Sequence, residues 1–323
     1  MRLLALILAT LSAVLVTDLN TEAAITFRFA YALSSNHPIH QGALRFKELV
    51  ESRTNKAVEI QLFPDQVLGQ DEDELLALSL GTLDMALVVA GAHGMMQPEF
   101  QLVSLVYMFR DERHAEAVFR GPIIQELSAK LLANKRIRIV QPFFYFGKRN
   151  LTANKPINRP EDLRGLTIRT PNVRIHQEGV ASLGGQAAPL PFPELYLALK
   201  QGVMDGQENP FAHILAGKLY EVQKYLILTE HITTNFMMGF SETSFKRLSP
   251  DQQKIVLEAA KEAEAYSNEL VRKGEESALS ELKKAGMTVI VPDKGPFVRA
   301  SEPVRQKYAK EFPDLYRRIQ ETK

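Results

Sequence analysis

Between residues 24 and 90 the chain alternates twice between two hydrophobic periods, and that alternation restricts the fold more than any other feature. "AITFRFAYAL" (24 to 33) is rich in aromatic and β-branched residues and reads as a strand. In the following "SSNHPIHQGALRFKELVESRTN", Asn36 is a capping residue, Pro38 fits a first turn, and Ala43, Phe46, Leu49 and Val50 share one helical face. "AVEIQLFP" (57 to 64) is a second strand, "QDEDELLALSLG" (70 to 81) a helix and "TLDMALVVA" (82 to 90) a third strand. Strands alternating with helices predict an α/β protein with a parallel sheet, whose ligands meet the carboxyl ends of the strands. Asn36 to Pro38 and Val89 to His93 therefore stand where a ligand reaches them.

The alternation resumes further on. "DERHAEAVFRGPIIQELSAKLLANK" reads as two helices broken at Gly121-Pro122, and "RIRIVQPFFYFG" (136 to 147) as a strand. "GLTIRT" is another strand, followed by a helix over 172 to 183, "QAAPLP", a helix from Pro193 to Gln201, and a short strand and turn in "GVMDGQENP". "KYLILTEHITTNFMMGFS" (224 to 241) is too long for one ordinary strand and is expected to pass between lobes. From Ser249, where Ser249 and Gln252 form a capping box, helical periodicity runs to Gly286, enough for one helix of about 50 Å. The alternative is a pair of helices broken near Gly274.

With 323 residues, 45% of them hydrophobic, the chain is long enough for two lobes. A net charge of +1 and the lack of any basic run interleaved with aromatics argue against a nucleic-acid partner. "MRLLALILATLSAVLVTDLNTEAAITF" has one basic residue, an uncharged run and small residues near Ala23 and Ala24, the layout of a signal peptide over 1 to 24. An exported chain with no cysteine, hence no disulfide or thiolate metal site, fits the bacterial periplasm.

Catalytic and cofactor motifs are missing: there is no nucleophile elbow, no Walker loop, no dinucleotide fingerprint and no His-Glu-x-x-His. No cofactor is expected. The acidic run "DEDE" (71 to 74) opens a helix, where carboxylates favour the dipole. What remains is Arg149 in "FGKRNLT", Arg169 in "LTIRTPN" and Asn209 in "DGQENP", all at strand ends or turns. Two guanidinium forks and an amide suit a carboxylate, and are poorly suited to moving protons. Pattern alone leaves a second role open for both arginines, an ion pair with Glu161 or Asp162.

"NKPINRPEDLRGLTIRTPN" followed by "LPFPELYLALKQGVMDGQENP" closely resembles the hallmark region of the periplasmic solute-binding subunits of tripartite ATP-independent periplasmic (TRAP) transporters, the DctP family. "SSNHPIHQGALRFKELV", "LFPDQVLGQDEDELLALSLGTLDMALV" and the long helix after Pro250 extend the resemblance over nearly the whole chain. It implies a two-lobed periplasmic binding protein fold, with crossing hinge strands (142 to 147 and 228 to 240) and a helix (251 to 285) spanning both lobes. Lobe I would comprise 25 to 142 plus 235 to 274, and lobe II 143 to 234 plus 275 to 323. It also implies that Arg169, Arg149 and Asn209 form a carboxylate clamp, and that the partners are an organic acid and the integral membrane subunits of a transporter. Where sialic-acid-binding members carry charged contacts after the third strand, "VVAGAHG" offers small residues and His93, so a C4-dicarboxylate, a sugar acid or a 2-oxo acid fits better. His37, His93, Tyr145 and Phe236 are candidate wall residues, with Tyr145 and Phe236 equally readable as core. Two other functions share these features: a periplasmic enzyme acting on an acidic small molecule, with His37 or His93 as general base, and a ligand-sensing module for a signalling receptor.

Overall fold

The computed structural model describes residues 24–323, so the signal-peptide reading lies outside the described residues except at Ala24. β1 (Ile25–Tyr31), α1 (Pro38–Arg53), β2 (Val58–Phe63), α2 (Asp71–Leu80) and β3 (Met85–Val89) alternate as the two periods require. Both β2 and β3 pair with β1 in parallel. Next come α3 (Glu112–Arg120) and α4 (Pro122–Lys135), separated at Gly121, and the long strand β4 (Ile137–Ala153). A second alternation follows: β5 (Thr167–Thr170), α5 (Arg174–Ser182), β6 (Gln186–Pro189), α6 (Phe192–Lys200), β7 (Gly206–Asn209) and α7 (Phe211–Ala216). β8 (Tyr225–Ser241), α8 (Glu242–Phe245), α9 (Pro250–Lys284), β9 (Thr288–Ile290), α10 (Lys294–Ala300), α11 (Glu302–Glu311) and α12 (Pro313–Glu321) complete the chain.

One sheet runs through the molecule in the order β2-β1-β3-β8-β4-β7-β5-β6, with β9 on β8. Its continuity rests on β4 and β8, each 17 residues long and antiparallel to one another. β3 pairs with the final third of β8, Phe236 to Phe240, whereas β7 pairs with the end of β4, Asn150 to Ala153. Each long strand thus serves both halves. Register shifts at four points interrupt the β4–β8 ladder, and two of them flank Gly147 and Arg149. Gly147, paired with Thr234, takes φ +114, and Glu230, at the shift between the Arg149–Ile232 and Leu151–Ile227 pairs, takes φ +45.

The cores show the same division. Phe27, Phe29, Phe46, Ile60, Leu87 and Met238 belong to one apolar cluster, Leu151, Ile168, Val180 and Ile227 to a second, and Leu195, Ile214 and Leu226 to a third. Because Leu226 and Ile227 are neighbours on β8, the second and third clusters lie on opposite faces of the sheet. α9 sends Val256, Ala260 and Val271 into the first cluster and Leu282 into the third. It is one unbroken helix of 35 residues, about 52 Å at 1.5 Å per residue, with nothing within 4 Å of a side chain added at Gly274. The Ser249–Gln252 capping box starts it. Val304, Tyr308 and Ile319 from α11 and α12 join the first core, so the C-terminal segment does not sit wholly with the second half.

Candidate functional site

A cleft of about 400 Å³ of empty space opens where β4 and β8 cross, between the first core and the other two. From the N-terminal half it is lined by Leu33, Gln66, Asp71, Val89 and Phe236; the other half supplies Phe146, Arg149, Arg169, Pro171, His176, Phe192, Asn209 and His213. The three clamp candidates reach it from adjoining strands. Arg149 lies on β4, Arg169 on β5 beside β7, and Asn209 ends β7 opposite Asn150.

Their electrostatic situations differ. Arg149 is buried and forms an ion pair with Glu208 through Nε, while its Nη2 donates to Glu208 Oε1 at 2.8 Å and to the Glu208 carbonyl at 2.7 Å. Its partner is therefore Glu208 and not Glu161 or Asp162; Asp162 instead accepts from the backbone of Asn158 and Arg159. Burial alone would raise the Glu208 carboxyl, but Arg149 and the His231 ring, 3.3 Å away, hold it well below the usual carboxylate range. Arg169 is also buried, yet among the described residues its one protein partner is the Leu190 carbonyl, at 2.7 Å from Nε. Both terminal nitrogens are left free for a ligand. Burial and the neighbouring Arg149 push its guanidinium down to about 9, the electrostatic mark of a cation without a full counter-charge. Asn209 donates to Gln207, which donates to Thr152, which donates to Gln223, a relay that fixes the orientation of the amide at the cleft.

Of the wall candidates, Phe236 lines the cleft and meets Phe146 edge to face at 5.0 Å. Tyr145 does not. Side chains alternate along β4, so Phe146 faces the cleft and Tyr145 faces α9, where its backbone N–H donates to Asn268 and its ring stacks on Phe143. His37 caps α1 by accepting from the Ile39 N–H and packs behind Phe146 and His213, outside the lining. His93 is buried against Phe100, its Nδ1 3.3 Å from the Val89 carbonyl. Neither His37 nor His93 lines the cleft, and burial lowers the His37 ring to about 3 and the His93 ring to about 4.

Sequence reasoning missed Phe192, His213, His176, Gln66 and Asp71. Phe192 and His213 stack at 3.7 Å, and Phe192 lies under the Arg169 guanidinium at 5.7 Å. The "DEDE" run divides: Asp73 caps the helix by accepting from the Gln70 N–H, whereas Asp71 and Glu74 turn inward. The signal was the spacing, because residues 71, 74, 75 and 78 lie on one face, and that face is the buried one.

Two α/β halves joined by crossing strands, with a free buried guanidinium between them, define a two-lobed solute-binding protein. Residues 29–311 match the bacterial extracellular solute-binding protein family 7, DctP, and the chain belongs to this family of periplasmic TRAP-transporter binding proteins. It is 30% identical over 93% of its length to the 2,3-diketo-L-gulonate-binding periplasmic protein of Escherichia coli, covering 92% of that protein. A TRAP binding protein of Polaromonas bound to D-erythronate superposes with a TM-score of 0.88 at 32% identity, over 93% of this chain and 99% of that one. A Bordetella counterpart, whose ligand density is interpreted as pantoate, gives 0.86 at 33% identity, over 93% and 99%.

Proposed function

We propose that the protein, exported to the periplasm by cleavage of its first two dozen residues, captures an organic acid and delivers it to the integral membrane subunits of a TRAP transporter. Arg169 holds the carboxylate with its free terminal nitrogens, Asn209 adds an amide contact, and Arg149, held by Glu208, shapes the site more than it supplies charge. The observation that carries this reading is the buried Arg169 with no acidic partner among the described residues, open to a cleft between two lobes. The likeness to binding proteins of sugar acids and other organic acids supports it.

Lobe I is residues 25 to 142 with 235 to 274, lobe II is 143 to 234 with the segment from 275, and α11 and α12 strap back onto the first core. Closing the lobes over the acid removes water from the ion pair, which strengthens it. Titration calorimetry tests the clamp. Charge-assisted hydrogen bonds contribute about 1.5 to 3 kcal/mol each, so Arg169→Ala weakens acid binding about tenfold to more than a hundredfold, and Arg169→Lys retains it only in part. Unchanged affinity in Arg169→Ala would remove Arg169 from the clamp, and chemical conversion of the bound acid on long incubation would make the protein an enzyme.

A further inference from the structure

The lining of the cleft is asymmetric. At the Arg169 end stand two unengaged acceptors, Gln66 Oε1 and Asp71 Oδ1, both shut in without a protein donor. Gln66, Asp71, Arg169 and Pro171 also border one adjoining chamber, which places the acceptors next to the guanidinium. Gln66 is delivered there by a turn in which both Asp65 and Gln66 adopt left-handed backbone, φ +61 and +58, a conformation that costs free energy and is kept where position matters. His176, a neutral imidazole with neither ring nitrogen engaged, stands 4.0 Å from Glu208 and within the fields of both arginines.

Away from Arg169 the wall becomes a row of rings. Phe192 lies beneath the guanidinium, His213 stacks on Phe192, Phe146 meets His213 at 5.1 Å, and Phe236 meets Phe146. Leu33 and Val89 complete that side of the lining. Within the row, His213 holds its Nδ1 without a protein partner.

Charge is limited as well. Glu208 already neutralises Arg149, so Arg169 is the single unbalanced cation among the described lining residues.

Resting on the carboxylate reading above, we infer that the cleft is built for a short 2-hydroxy monocarboxylate with an apolar far end, rather than for a dicarboxylate or a polyhydroxylated sugar acid. The carboxylate pairs with Arg169, the 2-hydroxyl donates to Asp71 or Gln66, and an alkyl or aryl body lies along Phe192, Phe146 and Phe236. A second carboxylate, or hydroxyls along the tail, would be stripped of water against the phenyl rings of Phe192, Phe146 and Phe236, which return no hydrogen bond.

Calorimetry with five probes on the purified protein decides it: 2-hydroxyisovalerate, mandelate, isovalerate, succinate and D-erythronate. The better of the two hydroxy acids is expected to bind about tenfold or more tightly than isovalerate, succinate or D-erythronate. In the double variant Gln66→Ala with Asp71→Ala, which removes both acceptors, the ratio between 2-hydroxyisovalerate and isovalerate is expected to collapse towards one. Tighter binding of succinate or D-erythronate overturns this substrate class and leaves the carboxylate reading standing. Equal binding of the hydroxy and deoxy acids by the parent protein, or an undiminished ratio in the double variant, overturns the hydroxyl contact. Failure of every acid to bind overturns the carboxylate reading with it.

Discussion

A buried arginine is defined by what balances it, and the two arginines of the cleft are balanced differently. Arg149 has Glu208, bidentate and buried, with His231 and Thr229 behind it. Breaking such a pair leaves an uncompensated charge in the interior, a loss of about 3 to 5 kcal/mol. Glu208→Gln is therefore expected to lower the free energy of urea unfolding by that order. Among the described residues Arg169 makes no ion pair, so Arg169→Met should leave ligand-free stability unchanged or raised while binding collapses. Equal destabilisation by both substitutions would mean that the fold also depends on Arg169. The sequence carries this site in part: Arg149, Arg169 and Asn209 are legible through a family motif, because motif residues sit at fixed strand ends. Glu208 stands one position before Asn209 in "DGQENP", yet its pairing with Arg149 requires β7 to lie against β4 in a register that spacing does not reveal.

At the scale of elements, the long strands and α2 carry the functional geometry. The sequence pattern predicts β4 only to residue 147; the strand continues to Ala153 because the bulges around Gly147 and Arg149 let it turn from one half of the sheet into the other without ending. A Cβ at Gly147 would lie 2.9 Å from Pro210 Cβ and 3.0 Å from Glu275 Oε1, at a φ that L residues rarely adopt. Gly147→Ala is expected to cost about 1 to 3 kcal/mol in urea unfolding and to weaken ligand binding, since Arg149 is two residues on. Tyr145 is a wall candidate in the sequence and a core residue in the fold because alternation alone gives two faces and no way to choose between them; the packing of α9 decides.

α2 supports a pH prediction. Burial raises Asp71 to about 7, against the lowering pull of the Val89 backbone, Arg169 and Arg149 and with a further push from Glu72; burial, with Asp71 and Asp73, raises Glu74 well above its usual range. The folded state therefore holds protons that the unfolded chain releases near pH 4. This contribution is complete below about pH 4 and is lost as pH rises towards 7, on the order of a few kcal/mol for Asp71. The buried histidines act with the opposite sign, losing stability as pH falls below about 6.5, so the comparison of variants is the measurement. Relative to the parent, Asp71→Asn with Glu74→Gln should gain stability between pH 5 and pH 8 in the absence of ligand, and parallel pH profiles would show that neither carboxyl is protonated in the fold.

Across the whole molecule, the arrangement of cores determines what ligand binding does. The clusters on either side of the cleft are joined by β4, β8 and α9, with α11 and α12 laid across from the C-terminal end. Bulged strands bend more readily than the helix, and the ion pairs of Glu230 with Lys148 at 3.0 Å and Lys294 at 2.6 Å cluster at the bulge, where bending would load them. On the proposed clamp, an acid is shared by Arg169 on one side and Gln66 and Asp71 on the other, and the closed form is favoured by the difference in affinity between closed and open forms. Without it, the guanidinium of Arg169 on one side and the unmet acceptors of Gln66 and Asp71 on the other are better hydrated with the lobes apart. Solution X-ray scattering should accordingly show a larger radius of gyration for the ligand-free protein and a decrease at saturating acid, with no decrease in Arg169→Ala. A ligand at 100 times its dissociation constant also stabilises by about 2.7 kcal/mol, which a melting curve registers. A melting shift without contraction would mean that the lobes are already closed before the acid arrives, with entry through a local opening near the turn at Gln66 in place of a hinge.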